Sequence, residues 1–390
     1  MTLFDIVLLL ILLAALAIGY ARGFVASAGV LAGLVAGGAA ALWAAPTVGR
    51  LIAEPVWRPL AELATWAVLL GIGAAVGGAV GAWLRRGVDR TPLRVLDRIA
   101  GGVVSLVVAA LVVSLAATGI AATGIPTVSA DAASSRVVRS IDSLIPAPVQ
   151  QALAQLRGTL AADGLPALGA LLDHPAADPA PPIALDTPAV TAAMASVARI
   201  TGVAYACGVS QTGSGFAIGA DTVVTNAHVV AGVKEPTVQL PDGTARPGRI
   251  VAFDPEQDLA IIRAPGLGAR PLQLSSTLPA GAAAVVAGYP YGGPLTAGDA
   301  TVIATGTAPV PDIYDQGTAM RPLYSLRATV RPGNSGGPVL TAKGTVAGVV
   351  FARVEGASDR GYAIVETAVK DLVARSGSLS ATVPSGHCTS

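Results

Sequence analysis

Three short segments contain residue types that together could perform acyl transfer. Ser335 lies in RPGNSGGPV, where the glycines let a substrate carbonyl approach the hydroxyl and let main-chain N–H groups point at its oxygen. His228 lies in TNAHVV after a strand-like run, and Asp258 lies in QDLAII at the start of another. A serine becomes nucleophilic when an imidazole takes its proton and a buried carboxylate holds that imidazole in the right tautomer. The three segments in this order therefore predict a catalytic triad.

Each segment taken alone also fits a structural role. A glycine-rich stretch can be a turn between strands, a histidine after a strand is usually structural, and an aspartate before an apolar strand usually caps a turn. Asp254, which precedes a proline, is expected to be such a cap. His174 and His387 have no further ligands nearby in the sequence, so no metal site and no cofactor is predicted.

Beyond Thr187 the chain has the pattern of a β protein. Short alternating runs rich in Val, Ile and Thr are separated by Gly, Pro and Asp-Gly, which over about 200 residues predicts an all-β sandwich or a pair of barrels. A short helix is predicted from Pro188 to Met194, and a closing helix over Val365–Arg375. The predicted strands cover Ser196–Val203, Gly215–Thr225, Thr237–Leu240, Arg249–Phe253, Leu259–Ile262, Ala283–Ala287 and Thr345–Phe351.

Four apolar stretches open the chain, and each is long enough to cross about 30 Å of hydrocarbon. We therefore predict four transmembrane helices, and the lipid bilayer as a partner. The first stretch could instead be a cleaved signal peptide, but it begins without Lys or Arg and contains Asp5, which argues against that alternative. Glycines at every fourth position around Gly33 and Gly77 predict close packing of the second and third helices. The four stretches are Leu3–Tyr20, Gly23–Ala45, Leu63–Leu84 and Ile99–Ile120.

Arginines predict the orientation of these helices. Arg22 follows the first helix, and five arginines from Arg85 to Arg98 lie between the third and fourth, whereas basic and acidic residues balance between the second and third. Arginine-rich loops remain in the cytoplasm. A multi-pass protein of the bacterial inner membrane is thus predicted, with everything after the fourth helix in the periplasm or its equivalent.

Length and composition limit the remaining possibilities. The 390 residues can form two or three domains, and 53% hydrophobic with 13% charged residues suggests that lipid solvates part of the chain. A net charge of +1 gives no reason to expect nucleic acid. We predict a membrane domain over 1–120, a helical and proline-rich linker over 121–187 that includes PAADPAPP, and a β domain over 188–390. Two short amphipathic helices are predicted in the linker, near 137–144 and 149–156.

Two families resemble parts of this chain. The GYARGF turn and the DRIAGG start of the fourth helix resemble the colicin V production (CvpA-like) membrane proteins. The GSGF, TNAHVV, DLA and GNSGGP elements resemble the HtrA branch of the chymotrypsin-like serine proteases. That resemblance implies two six-stranded β-barrels with the triad between them: His228 as general base, Asp258 as orienting carboxylate, Ser335 as nucleophile, and the N–H groups of Gly333 and Ser335 as the oxyanion hole.

The same resemblance implies where specificity would arise. Thr329 corresponds to the floor of the primary pocket, and Val349, Val350 and Phe351 would supply a wall. Because no carboxylate is evident there, small or medium apolar side chains are expected before the cut bond. Asn334 stands where zymogen-activated digestive proteases have Asp, so activation by a freed N-terminal amine is not expected.

Nearly the whole chain resembles the MarP family of actinobacterial periplasmic proteases. The resemblance implies a membrane-anchored serine endopeptidase acting on extended peptide or protein substrates, peptidoglycan hydrolases among them, in acid or oxidative stress resistance. It also includes one distant cysteine pair, here Cys207 and Cys388, for which a bridge and two unpaired thiols are the alternatives. The competing hypothesis for function is a non-catalytic scaffold whose β domain binds peptides by strand addition.

Overall fold

The computed structural model describes residues 3–51, 58–121, 135–146, 148–150, 152, 165–169, 171–172, 181–204, 209–375 and 379–389. These residues fall into two compact units, Leu3–Ser114 and Leu115–Ser390. Cys207, much of the predicted proline-rich linker and most of the second predicted linker helix lie outside the described residues.

The first unit consists of long apolar helices. The sequence in these regions is rich in Leu, Val and Ala, and each helix contains a stretch long and apolar enough to cross a membrane, as the sequence predicts. Their bounds are Leu3–Arg22 (α1), Phe24–Leu51 (α2), Arg58–Val88 (α3) and Arg94–Ala121 (α4).

The glycine stripes of α2 and α3 face each other. A Cβ added to Gly33 would lie 2.0 Å from the carbonyl oxygen of Gly73, and one added to Gly29 would lie 2.4 Å from that of Gly77. The two backbones are therefore in direct contact, which only glycine permits here. The predicted packing of these helices is confirmed.

The two short CvpA-like motifs meet in space. Gly23, between α1 and α2, has a φ of +79°, which favours glycine. The Asp97 side chain at the start of α4 accepts a hydrogen bond of 2.9 Å from the N–H of Val25, so it caps α2. Arg85 lies 3.5 Å from the same carboxylate. The motif residues thus form one buried polar corner among α1, α2 and α4.

The second unit is mainly β structure. Its helices are Arg136–Leu144 (α5), Pro188–Met194 (α6), Ala227–Val230 (α7) and Glu366–Arg375 (α8). Its strands are Ala167–Leu168 (β1), Val197–Ala204 (β2), Val209–Gly219 (β3), Thr222–Thr225 (β4), Thr237–Gln239 (β5), Ala245–Pro247 (β6), Arg249–Asp254 (β7), Leu259–Arg263 (β8), Ala283–Gly288 (β9), Thr296–Pro311 (β10), Thr318–Arg327 (β11), Pro338–Leu340 (β12), Val346–Val354 (β13) and Arg360–Val365 (β14).

The strands form two curled sheets, as expected for a chymotrypsin-like fold. The first has the order β6-β5-β2-β3-β4-β8-β7. The second has the order β1-β13-β12-β9-β10-β11-β14, and pairing of β13 with β14 closes six of its strands into a barrel. The resemblance implied six strands per barrel. β1 is an addition to the closed six, and the first sheet contains seven strands.

Two parts of the strand prediction differ from the structure. The run Gly215–Thr225, predicted as one strand, is the end of β3 and all of β4, with a reversal at Ala220 and Asp221. The long hairpin of β10 and β11 is absent from the predicted runs, because glycines and prolines interrupt the alternation along it, and the strands β6, β12 and β14 are absent as well. The helices α6 and α8 are confirmed within a residue, and α5 confirms the first linker helix.

Candidate active site

His228 lies in α7, the single helical turn that follows β4. Its Nδ1 lies 2.8 Å from Oδ2 and 3.0 Å from Oδ1 of Asp258, and its backbone N–H donates to the same Oδ1 at 3.0 Å. Asn226, just before α7, donates from Nδ2 to the carbonyl oxygen of Asp258 at 2.8 Å. The Asp258 carboxylate therefore contacts both the ring Nδ1 and the backbone N–H of His228. These contacts orient Nε2 away from Asp258.

Asp258 occupies an unusual backbone conformation. It ends the tight turn between β7 and β8 with a φ of +53°, a region that few residues other than glycine adopt. Asp254 stabilises the start of this turn, since its Oδ1 accepts from the N–H of Gln257 at 2.9 Å. The sequence prediction that Asp254 caps a turn is confirmed. The strained conformation directs the Asp258 side chain toward α7.

Ser335 lies in a tightly packed loop between β11 and β12. Gly333 and Gly336 have φ values of +91° and +83°. A Cβ on Gly336 would lie 2.1 Å from the carbonyl oxygen of Ser214, and one on Gly333 would lie 2.3 Å from that of Tyr289. The glycines of GNSGG are thus required both by conformation and by contact with neighbouring backbone.

Ser214 connects the nucleophile loop to the first sheet. Its N–H donates to the carbonyl oxygen of Ser335 at 2.7 Å, and its Oγ donates to that of Gly333 at 2.6 Å. Its Oγ also accepts from the N–H of Tyr289 at 2.9 Å, and its carbonyl accepts from Thr225 Oγ1 at 2.7 Å. No role is predicted for this serine from the sequence, where GSGF serves only as a family motif. The unusual serine between two glycines in a strand was the available signal.

Several polar groups of His228, Gly333 and Ser335 have no hydrogen-bond partner among the described residues. Neither Ser335 Oγ nor His228 Nε2 has such a partner there, although the two residues are only 2% and 7% exposed. In the same part of the chain, the N–H groups of Gly333 and Ser335 donate to no protein acceptor. Buried polar groups are normally satisfied. A nucleophile, a base and two hydrogen-bond donors without protein partners are the groups that acyl transfer needs.

The predicted pocket residues lie in different surroundings. Thr329 is exposed, while Val350 belongs to the buried cluster inside the second barrel together with Val330. Val349 and Phe351 belong to a different buried cluster, on the other face of β13. The pocket assignment stays a prediction, with Val350 the member nearest to the nucleophile loop through its backbone bonds to Gly336 and Gly337.

Of the predicted cysteine pair, the structure describes only Cys388. This residue is disulfide-bonded and packs against the hydrophobic cluster of the first barrel. Its tail is held there by hydrogen bonds from Gly232 N–H to the Ser385 carbonyl and from Val383 N–H to the Ile250 carbonyl.

Known proteins are similar to both parts of the chain. The colicin V production protein family model matches residues 4–146, and the trypsin-like peptidase domain model matches residues 213–349. The serine protease Rv3671c of Mycobacterium tuberculosis strain H37Rv is 33% identical over 318 residues, covering 80% of this chain and 79% of that protein. The putative serine protease HhoB of Synechocystis is 36% identical over 163 residues, covering 40% of this chain and 38% of that protein.

A solved structure is similar to the β-rich part of the chain. The crystal structure of the Rv3671c protease in its active form is 35% identical, covers 57% of this chain and 99% of that chain, and has a TM-score of 0.53. The enzyme class is thereby a serine endopeptidase. The chain belongs to the MarP-like family of serine proteases, in which a colicin V production (CvpA-like) domain precedes a trypsin-like peptidase domain.

Proposed function

We propose that His228, Asp258 and Ser335 form the catalytic triad of a membrane-anchored endopeptidase that works through an acyl-enzyme. The bond of 2.8 Å between His228 Nδ1 and Asp258 is the main support, because it holds the imidazole with Nε2 free to accept a proton. Ser214 places the nucleophile loop against the sheet from which α7 emerges.

In the proposed mechanism, Ser335 Oγ attacks the scissile carbonyl carbon as His228 Nε2 takes its proton. The N–H groups of Gly333 and Ser335 stabilise the resulting oxyanion. Collapse of this intermediate breaks the C–N bond, and His228 passes the proton to the leaving amine. Water then attacks the acyl-enzyme as His228 accepts a proton from it. The ester C–O bond breaks, the new carboxyl group leaves, and His228 returns the proton to Ser335 Oγ.

A fluorophosphonate probe tests this proposal directly, because it reacts with an activated serine. We expect labelling of the wild-type protein and of a control, Ser276→Ala, which removes an exposed serine. Ser335→Ala is expected to lose all labelling. A folded wild-type protein without labelling would favour the scaffold hypothesis, and labelling of Ser335→Ala would assign the nucleophile elsewhere.

We further propose that the protease part lies on the periplasmic side of a bacterial inner membrane. Alkaline phosphatase, which is active only outside the cytoplasm, is expected to be active when fused after Ser390 and inactive when fused at Arg90. A fluorescent protein that folds only in the cytoplasm serves as the reciprocal reporter. The opposite pattern would refute the orientation derived from the arginine-rich loops.

The proposed substrates are extended polypeptides, with peptidoglycan hydrolases as candidates and a role in acid or oxidative stress. These finer assignments come from the family resemblance. A peptide-library profile with small or medium apolar residues before the cut bond would agree with the proposed pocket, and one dominated by Arg or Lys would contradict it.

A histidine base makes the activity depend on pH. His228 must be neutral to accept the serine proton, and histidine side chains change charge between about pH 5 and 8. We therefore expect kcat/KM for a peptide substrate to fall as the pH decreases from neutral. A rate that rises continuously down to about pH 4 would contradict a histidine base.

A further inference from the structure

Arg321 is an arginine buried in the second unit close to the Asp258 turn. It lies on β11, is only 2% exposed, and ranks among the largest fully buried side chains of the described residues. It forms no ion pair there, since no carboxylate oxygen lies within 4.0 Å of its nitrogens in the part of the chain that the structure describes. A buried arginine without a paired carboxylate is costly, which calls for a functional explanation.

The guanidinium connects the β10–β11 hairpin to the turn before Asp258. Its Nε donates to the carbonyl oxygen of Glu256 at 2.5 Å, and an Nη donates to that of Pro311 at 2.8 Å. Its Cζ lies over the Phe351 ring, 5.6 Å from the ring centre, in a cation–π contact. One planar group therefore joins β10, β11, β13 and the turn between β7 and β8.

Other bonds from the second barrel reach the same turn. The N–H of Ile313, at the tip of the hairpin, donates to the Pro255 carbonyl at 3.3 Å. Arg375 of α8 lies 2.8 Å from the Asp254 carboxylate at the other end of the turn. The strained Asp258 is thus fixed by contacts that come from the opposite barrel.

Three carboxylates lie near enough to Arg321 to affect its own charge. Burial lowers the pKa of its guanidinium, and the carboxylates of Asp258, Asp254 and Asp312 oppose that lowering. Among these, Asp254 is paired with Arg375, and Asp258 faces His228. Arg321 links the turn to β10 through its hydrogen bonds to the Glu256 and Pro311 carbonyls.

We propose that Arg321 is a positioning residue of the triad: it holds the turn that presents Asp258 to the ring of His228. The inference rests on the triad proposed above. It predicts that removing the guanidinium lowers kcat with little change in KM, because the base is then less well oriented while the groups that bind the peptide are unchanged. A side chain that only filled space could be replaced by methionine without that selective loss of kcat.

The test compares Arg321→Met and Arg321→Lys with the wild type in the full-length protein, using kcat and KM for a peptide substrate. We expect Arg321→Met to lower kcat by about ten- to a hundredfold with KM nearly unchanged. Arg321→Lys cannot bridge both carbonyls, so it is expected to recover only part of the rate. The control Arg375→Met removes an exposed cation that contacts the same turn from α8, and it is expected to retain most of kcat because an exposed ion pair contributes little.

Two results would overturn the proposal: a folded Arg321→Met enzyme with the wild-type kcat, or one whose loss of activity appears only in KM. If Arg321→Met does not fold, an Arg321→Lys enzyme with the full wild-type kcat would overturn it. Failure of the proposed triad is distinguishable, since the wild-type enzyme would then show no probe labelling that depends on Ser335.

A second, independent observation concerns the segment around β1. Arg353 and Glu355 donate from their N–H groups to the carbonyls of Pro166 and Leu168, each at 2.9 Å, so β1 adds to β13 in parallel. Leu165, just before it, is 4% exposed and belongs to the cluster inside the second barrel. The segment is thereby anchored by backbone and side chain.

This segment lies on the edge of β13 that faces the nucleophile loop. β14 occupies one edge of β13 as far as Arg353. On the other edge, Val350 pairs with Gly336 and Gly337, and β1 follows immediately along the same edge. A peptide whose scissile carbonyl lies at Ser335 would extend along this edge of β13. There it would compete with β1 for the same backbone groups of β13.

We infer that residues 165–168 restrain the active site by occupying a strand edge that a peptide substrate must share. Leu165→Asp is expected to release the segment and raise kcat/KM for a peptide several-fold, chiefly through KM. The control Leu185→Asp changes a leucine that is 38% exposed and is expected to have no effect. A synthetic peptide of residues 163–172 should inhibit the released variant. Unchanged or reduced activity of a folded Leu165→Asp protein would overturn this inference.

Discussion

Asp258→Asn is expected to lower kcat by about four orders of magnitude without unfolding the protein. The two carboxylate oxygens now accept from both Nδ1 and the backbone N–H of His228. An amide at this position could turn its NH₂ group toward Nδ1, which would stabilise the wrong tautomer and leave Nε2 protonated. It would also provide no negative charge for the imidazolium formed during attack.

The measurement is steady-state peptide cleavage combined with the rate of fluorophosphonate labelling. Asp254→Asn is the matched control, because it lies in the same turn but its carboxylate caps Gln257 and pairs with the exposed Arg375 instead of contacting His228. We expect that variant to retain most of its activity. A loss below about tenfold in Asp258→Asn would show that this carboxylate does not orient the base.

Replacing either predicted bridge cysteine is expected to produce the largest loss of stability. If Cys207 and Cys388 are linked, the closed loop is long, and its removal costs up to about 5 kcal/mol in the chain-entropy model. For a domain of this size that corresponds to a decrease in Tm of up to roughly 10–20 °C. We expect Cys207→Ala and Cys388→Ala to have equal effects, with no titratable thiol in the oxidised wild type.

The tail also provides a reason for reduced turnover in these variants. His387 stacks on Tyr314 with ring centres 3.8 Å apart, and Tyr314 lies at the tip of the β10–β11 hairpin that contacts the Asp258 turn. Releasing the tail would loosen that tip. Thr389→Ala, beside the cysteine, is the control. Two free thiols in the folded wild type would refute the bridge, whereas a lower Tm with full activity would limit it to a structural role.

Local sequence was sufficient for the residues that the chemistry needs. The glycines around Ser335, the strand before His228 and the tight turn before Asp258 are each properties of a few adjacent residues. The same holds for the glycine stripes of α2 and α3, whose spacing of four residues matches one face of a helix. Such features depend on side-chain type and period, so they can be read without knowing which segments meet.

What connects these segments was not predictable in this way. The β10–β11 hairpin contains glycines and prolines that hide its strand character, although pairing on both sides stabilises it. No local pattern marks Arg321, whose guanidinium reaches the Asp258 turn only through the β10–β11 hairpin. Ser214 likewise gained its role only when β3 met the nucleophile loop.

The sequence by itself therefore determined the class of fold, the four apolar helices and the three residue types of the proposed triad, because these follow from composition, period and short motifs. Only the tertiary structure decided how the turn of Asp258, the turn of His228 and the loop of Ser335 are held together. Many of the contacts responsible join residues far apart in the chain: the bond from Gln257 Nε2 to the Met320 carbonyl spans 63 positions, and that from Arg375 to Asp254 spans 121. Such pairings arise from the packing of whole barrels, which no local pattern encodes.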